Sequence, residues 1–248
     1  MIQKYNPRTQ AGFTIVELMI AMAFISLLLL AIAGAVIQIA AIHNKGLTMK
    51  SVNQSGRIIV ADMKRTIGES QPFGIPLTTD ATYGRTDTFI LQSASGVVAT
   101  GDNNPYGGRL CTGTYSYIWN VGTHIDTPRN KYAGDESDKQ IRLVKVRDTS
   151  KGYCKDDAAG AVDATQATEL LSESNLAVQS FHIERLTNNG ASGMALYTIG
   201  ITISNADTEA IDTVDNTCQP PSEVAVLQNY CSVNEFIFTA RAGNKGDQ

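Results

Sequence analysis

The apolar positions fall in three regimes along the chain. From Phe13 to Ile42 they are almost continuous, interrupted only by Thr14, Glu17, Ser26, Gly34 and Gln38. A membrane-spanning helix needs about 20 such residues, and this run exceeds that. From Leu47 to Ile67 the pattern becomes periodic. Val52, Ile59, Met63 and Ile67 recur at steps of seven, four and four, between polar Asn53, Gln54, Arg57, Asp62, Lys64 and Arg65. That spacing predicts an amphipathic helix with one stripe to bury. No proline occurs between Pro7 and Pro72, so a single helix from Phe13 to about Gly68 is expected, closed off by Pro72 and Pro76. Gly34, Gly46 and Gly56 are its weak points, each worth about 1 kcal/mol against alanine.

Beyond Pro76 the apolar runs shorten, and glycine, threonine, serine and asparagine become frequent. Short strands are expected at 88–91 and 96–98. Alternating segments at 115–121, 141–146, 178–186, 196–203 and 233–239 predict further strands. The turn between the 178–186 and 196–203 strands is placed at Asn188-Asn189-Gly190. Loops are expected over 102–108, 126–138 and 155–168, with a short helix or turn near 168–176 and a polar, acidic stretch over 205–221. The pattern predicts an α+β fold: a long N-terminal helix whose amphipathic half packs on a mostly antiparallel sheet of six or so strands. Four segments follow: a leader over 1–12, an apolar helix over 13–42, its amphipathic continuation over 43–70, and a β-rich domain over 71–248.

Charge and cysteines add direction. The leader carries Lys4 and Arg8 ahead of the apolar run, which keeps that end cytoplasmic and sends the C-terminal portion across the membrane. The run is too long for an ordinary cleaved secretory signal. The net charge of −4 gives no general basic face, so no nucleic-acid partner is expected. All four cysteines, Cys111, Cys154, Cys218 and Cys231, lie in the portion read as exported, where an even number suggests two disulfides. Three connectivities are open. The local one joins Cys111 with Cys154 and Cys218 with Cys231.

Glu17 is the one ionisable residue in the apolar run, and a carboxylate there is costly. Its setting supplies a reason. Gly12-Phe13-Thr14-Ile15-Val16-Glu17, between a basic leader and an apolar helix, resembles the class III signal of type IV prepilins and pseudopilins. The resemblance implies cleavage between Gly12 and Phe13 by a membrane prepilin peptidase and N-methylation of Phe13. It also implies pairing of Glu17 with the Phe13 amine of a neighbouring subunit during assembly. It is close over residues 1–42 and architectural beyond, where the domain is similar to minor pilins of the PilW type and the related pseudopilin J. The implied partners are prepilin peptidase, the membrane, and other pilin or pseudopilin subunits bound through the N-terminal helix. The implied location is the cytoplasmic membrane, then a surface or periplasmic filament.

Little else carries chemistry. His43, His124 and His182 have no ligand or triad spacing, and no nucleotide-binding, nucleophile-elbow or zinc-protease motif is present. Asp207, Glu209, Asp212 and Asp215 are read as a solvated acidic loop and not as a metal site. No cofactor, metal or enzymatic activity is expected. The expected function is a minor pilin or pseudopilin that primes or caps a type IV pilus or type II secretion pseudopilus. The alternative is a pilus-presented adhesin or DNA-uptake subunit using the loops at 100–140 and 205–231.

Overall fold

The structure, a computed structural model, describes residues 12–75, 89–93, 96–97, 106–122, 130–134, 137–155, 161–171, 175–186, 194–205, 210–212, 217–219 and 231–243. The turn expected at 188–190 lies outside them. The chain divides into two compact units, Met1–Asn44 and Lys45–Gln248. Helix α1 (Ile15–Gly68) contributes its apolar start to the first and its amphipathic end to the second. Its last turn is closed by Ser70, whose N–H and hydroxyl both donate to the Ile67 carbonyl.

In the second unit the chain continues through β1 (Phe89–Ser93), β2 (Gly96–Val97), β3 (Gly107–Cys111), β4 (Tyr115–Asn120), β5 (Lys131–Tyr132) and β6 (Leu143–Arg147). After a one-turn helix α2 (Gly152–Lys155) come β7 (Ala161–Val162), β8 (Ala167–Glu169), β9 (Leu176–Arg185), β10 (Ala195–Asn205), β11 (Ile211–Asp212), β12 (Thr217–Cys218) and β13 (Val233–Ala242). The expected single sheet is two. One is ordered β2-β1-β3-β4-β6-β8 and the other β13-β10-β9, with β11-β12 and a parallel β5-β7 pair beside them. A parallel bridge between Val121 and Val178 links the two main sheets.

The α1 stripe closes this arrangement. Val52, Gly56, Ile59, Met63 and Ile67 are buried. Val52, Ile59, Met63 and Ile67 join one cluster with Leu110, Tyr117 and Trp119 from the larger sheet and Phe181, Ile199 and Ile201 from the smaller. Each of these large side chains contributes roughly 1.5–3 kcal/mol by leaving water. Gly56 belongs to the stripe and is not merely a weak point. A Cβ there would run into the Phe236 ring. Past the helix, Phe73 stacks on Tyr197 at 4.3 Å, and the Tyr197 hydroxyl bonds both the N–H and the carbonyl of Phe73 at 2.7 Å.

Four sequence expectations are corrected here. Gly107 and Gly108 open β3 instead of lying in a loop. Gly107 is required because a Cβ would meet the Trp119 carbonyl and the Asn130 amide. Within the expected loop 126–138, Lys131 and Tyr132 form β5. The segment 155–168 is not simply exposed. Val162 is fully buried in a second cluster with Ile118, Tyr132, Ile141, Val144 and Val146, and β8 pairs with β6 where a helix or turn was expected. The cause is that β4 buries both faces, so the face away from α1 needs its own cover.

Polar groups fasten that cover. Arg109 is fully buried; its Nε donates to Asn130 Oδ1 and its Nη1 to the Tyr153 carbonyl, both at 3.0 Å. The Asn120 amide donates to the carbonyls of Asn130 and Ile141, and the Asn130 amide to that of Trp119. The disulfides are Cys111–Cys154, which ties α2 to β3, and Cys218–Cys231. On the α1 side, Lys145 Nζ donates to both oxygens of Asp62 at 3.0 Å and to Thr66 Oγ1 at 2.7 Å, while Tyr117 Oη donates to Asp62 Oδ2. Burial pushes the Asp62 carboxyl up, but the hydrogen bonds from Lys145 and Tyr117 and the Lys145 charge outweigh it and hold the group below the usual carboxylate range.

Glu169 goes the other way. Burial pushes it up to about 7, against the hydrogen bonds it accepts from the Leu143 N–H and the Tyr132 hydroxyl. Between its ordinary value of 4.5 and about 7, the folded chain holds a proton that the unfolded chain has lost. Stability from this group is therefore full below pH 4.5 and declines as pH rises to about 7. In urea unfolding, Glu169→Gln is expected to remove that decline and leave the acid limb set by Asp62 in place.

Two helix glycines are expected to respond oppositely to the same change. Gly46 has open space where a Cβ would go, so Gly46→Ala raises stability by up to about 1 kcal/mol. Gly56→Ala forces the Phe236 ring aside and lowers stability by about 1–3 kcal/mol. Urea midpoints of the two variants check this.

Candidate processing and assembly site

The residues singled out in the sequence, Gly12, Phe13 and Glu17, sit together at the start of α1. Gly12 and Phe13 precede the helix in exposed chain, and Phe13 is 85% exposed. Nothing lies within 4 Å of where a Cβ on Gly12 would stand. The fold therefore does not demand glycine at this position.

Thr14 begins the helix, and its carbonyl accepts the first helical bond, from the Leu18 N–H. Glu17 Oε2 accepts the Thr14 N–H and the Thr14 hydroxyl, both at 3.0 Å, and the Glu17 N–H donates back to Thr14 Oγ1 at 3.3 Å. This is a capping box, in which two otherwise orphaned N–H groups are satisfied reciprocally. A carboxylate in the first turn also opposes the positive end of the helix dipole. The solitary carboxylate thus has a partner three residues away. Reading the sequence only for its ionisable residue missed the role of Thr14, although Thr-x-x-Glu ahead of an apolar run is its signal.

Downstream, every side chain from Phe13 to Ala40 is exposed, including Phe24, Leu27, Leu30 and Ile37. This exposed apolar surface is continuous around the helix, far beyond what a water-facing surface carries. α1 is long and apolar enough to cross a membrane. Ser26, one of the polar interruptions, satisfies its hydroxyl on the Met22 carbonyl at 2.8 Å. The helix runs through Gly34 without a break.

The other candidates among the described residues belong to the second unit. The four cysteines belong to the second unit and form its disulfides. His182 lies in β9 with its ring against Gly200, the residue it faces across the β9-β10 pair. Of the acidic loop, Asp212 alone lies among the described residues, where it is paired in β11.

The chain thus combines an apolar N-terminal helix that opens on a capping box with an α+β domain that carries two disulfides. Residues 7–35 match the family model described as the prokaryotic N-terminal methylation motif. The chain thus carries the class III signal of type IV prepilins, and the signal supports a type IV pilin-like protein. Nothing matches the chain among curated proteins or among solved structures.

Thr14→Ala removes both hydroxyl bonds of the capping box and is expected to cost about 0.5–2 kcal/mol at the helix start. Hydrogen exchange of the first-turn amides in micelles should quicken accordingly. Thr14→Ser should retain the protection.

Proposed function

We propose that the chain is a minor pilin or pseudopilin, made as a prepilin and held in the cytoplasmic membrane by the apolar part of α1. Prepilin peptidase cuts it between Gly12 and Phe13, and Phe13 is N-methylated. The mature chain joins a type IV pilus or type II secretion pseudopilus through α1, where it primes or caps assembly and catalyses nothing. The observation that carries this reading is the methylation motif over residues 7–35. The geometry supports it, because Gly12 and Phe13 are exposed ahead of the first helical turn.

The capping box refines the role given to Glu17. Its bonds to Thr14 engage Oε2. Oε1 is left to accept the new Phe13 amine of a neighbouring subunit, which exists only once the leader is gone. The charged pair forms near the membrane interface, where a carboxylate is less costly than at the bilayer centre.

Intact-mass measurement of the membrane-derived protein should show a chain beginning at Phe13 and carrying one added methyl group. Retention of residues 1–12 in cells with active prepilin peptidase overturns the proposal. Glu17→Ala should leave membrane insertion intact while reducing recovery in sheared filaments by about tenfold or more, as expected for loss of a desolvated charge pair.

A further inference from the structure

β13 is an edge strand: among the described residues it pairs with β10 on one side and with no strand on the other. The pairing with β10 runs in unbroken register from Ala195↔Ala242 to Ser204↔Val233. Hydrogen bonds at its two ends fix which way the backbone groups turn. The Asn205 N–H donates to the Ser232 carbonyl, so even-numbered residues of this strand address β10. Odd-numbered residues address the open side. Gly243 does so, its N–H donating to the Ser70 carbonyl at 2.9 Å. The N–H and C=O groups of Glu235, Ile237 and Thr239 turn the same way and have no partner among the described residues. Natural edges are commonly blunted by a proline or a bulge. β13 has neither, and at its middle Ile237 is 64% exposed.

The open side of β13 faces a groove of about 420 Å³ against α1. Helix and strand run alongside, meeting at Asn53 and Asn234 and again where Ser70 bonds Gly243. Val60 and Ala61 of α1, with Phe236 and Phe238 of β13, give the groove apolar walls. Arg57 and Lys64 stand exposed on its helix rim, and Glu235 is the carboxylate that lines it. Arg57 has no acceptor among the described residues, while Lys64 Nζ lies 5.6 Å from the centre of the Phe238 ring.

These features select an occupant. A row of unpaired strand N–H and C=O groups is satisfied by another extended backbone. Two cations against one carboxylate favour an acidic one. Arg57 and Lys64 are about 10 Å apart along the helix axis. Acids four residues apart on a strand are separated by about 13 Å, so they reach both cations and bracket one side chain that enters the groove. A second copy of this chain is disfavoured, because pairing β13 with β13 about a two-fold axis brings Arg57 and Lys64 of both copies to one seam.

We propose that the β13 edge takes up an extended, acidic segment of a different polypeptide, which adds to the smaller sheet as a fourth strand. Its backbone pairs with Glu235, Ile237 and Thr239. An apolar side chain enters the groove against Val60 and Phe236, and flanking carboxylates meet Arg57 and Lys64. The surface belongs to the second unit and does not rest on the processing of residues 12–17.

The full chain in micelles is mixed with a capped peptide, Thr-Asp-Val-Val-Val-Asp-Thr, and backbone hydrogen exchange is followed along β13. Controls are the same peptide with lysines for aspartates and a fully N-methylated form. In the chain alone, the amides of Glu235, Ile237 and Thr239 should exchange fast. The acidic peptide should slow them saturably, by about tenfold or more, and the controls should not. Ile237→Pro removes an outward N–H without breaking a bond to β10 and should abolish binding. Arg57→Glu combined with Lys64→Glu, at exposed positions, should transfer the preference to the lysine peptide. The proposal is overturned if the acidic peptide leaves these amides fast, or if either control protects them equally. It is also overturned if folded Ile237→Pro binds like the parent, or if the doubly reversed variant still prefers the acidic peptide. Protection of the three amides in the chain alone overturns it as well. If that protection is independent of concentration, the edge belongs to a segment of this chain. If it rises with concentration, the edge belongs to a second copy.

Discussion

The second unit depends on one stripe of α1. Two sheets, each buried on its inner face, need a common surface to close against, and Val52, Gly56, Ile59, Met63 and Ile67 supply it. The large members of the stripe fill the space between the sheets, while Gly56 leaves room for the Phe236 ring. Loss of a side chain from the stripe leaves a cavity, and addition at Gly56 forces a clash, so the contact is constrained from both directions. Strand order and disulfides elaborate this contact: Cys111 and Trp119 are placed by strands that already pack beneath the helix.

The helix was legible because its signals are local. Period and absence of proline gave its extent to within two residues at its start, and the steps between Val52 and Ile67 gave its buried face. The main strands β4, β6, β9, β10 and β13 were legible for the same reason. The partition into two sheets was not, because strand order depends on contacts between segments far apart in sequence. The run from Lys155 to Thr168 misled because it is small and polar, and it hides a single load of apolar surface, Val162 and its neighbours, in a few residues. Gly107 misled because glycine signals both a turn and a close backbone approach, and only the position of Trp119 and Asn130 separates them.

The N-terminal site was legible as a motif before it was legible as geometry. Gly12, Phe13 and Glu17 stand out by residue type and spacing, yet the interaction visible within one chain is between Glu17 and Thr14. The polar cluster of Arg109, Asn120 and Asn130 could not be read at all, since three polar residues scattered over loops and strands carry no period. The groove beside β13 is of the same kind. Its walls come from α1 and from β13, and only folding brings them to one place.

The attachment of α1 to the sheets also has a mechanical meaning. Its fastenings are spread along the helix: Asn53 accepts from Asn234 at 2.7 Å near one end, and Asp62 binds Lys145 and Tyr117 two turns further on. Between and beyond them lie the stripe residues, up to the Phe73–Tyr197 stack that follows the helix. A pull along the axis of this segment would load these contacts side by side, in shear, and no single one would bear it alone. Peeling would need the ties to open in succession, whereas sliding would need them to fail together. The second unit is therefore built to resist tension transmitted along its helix.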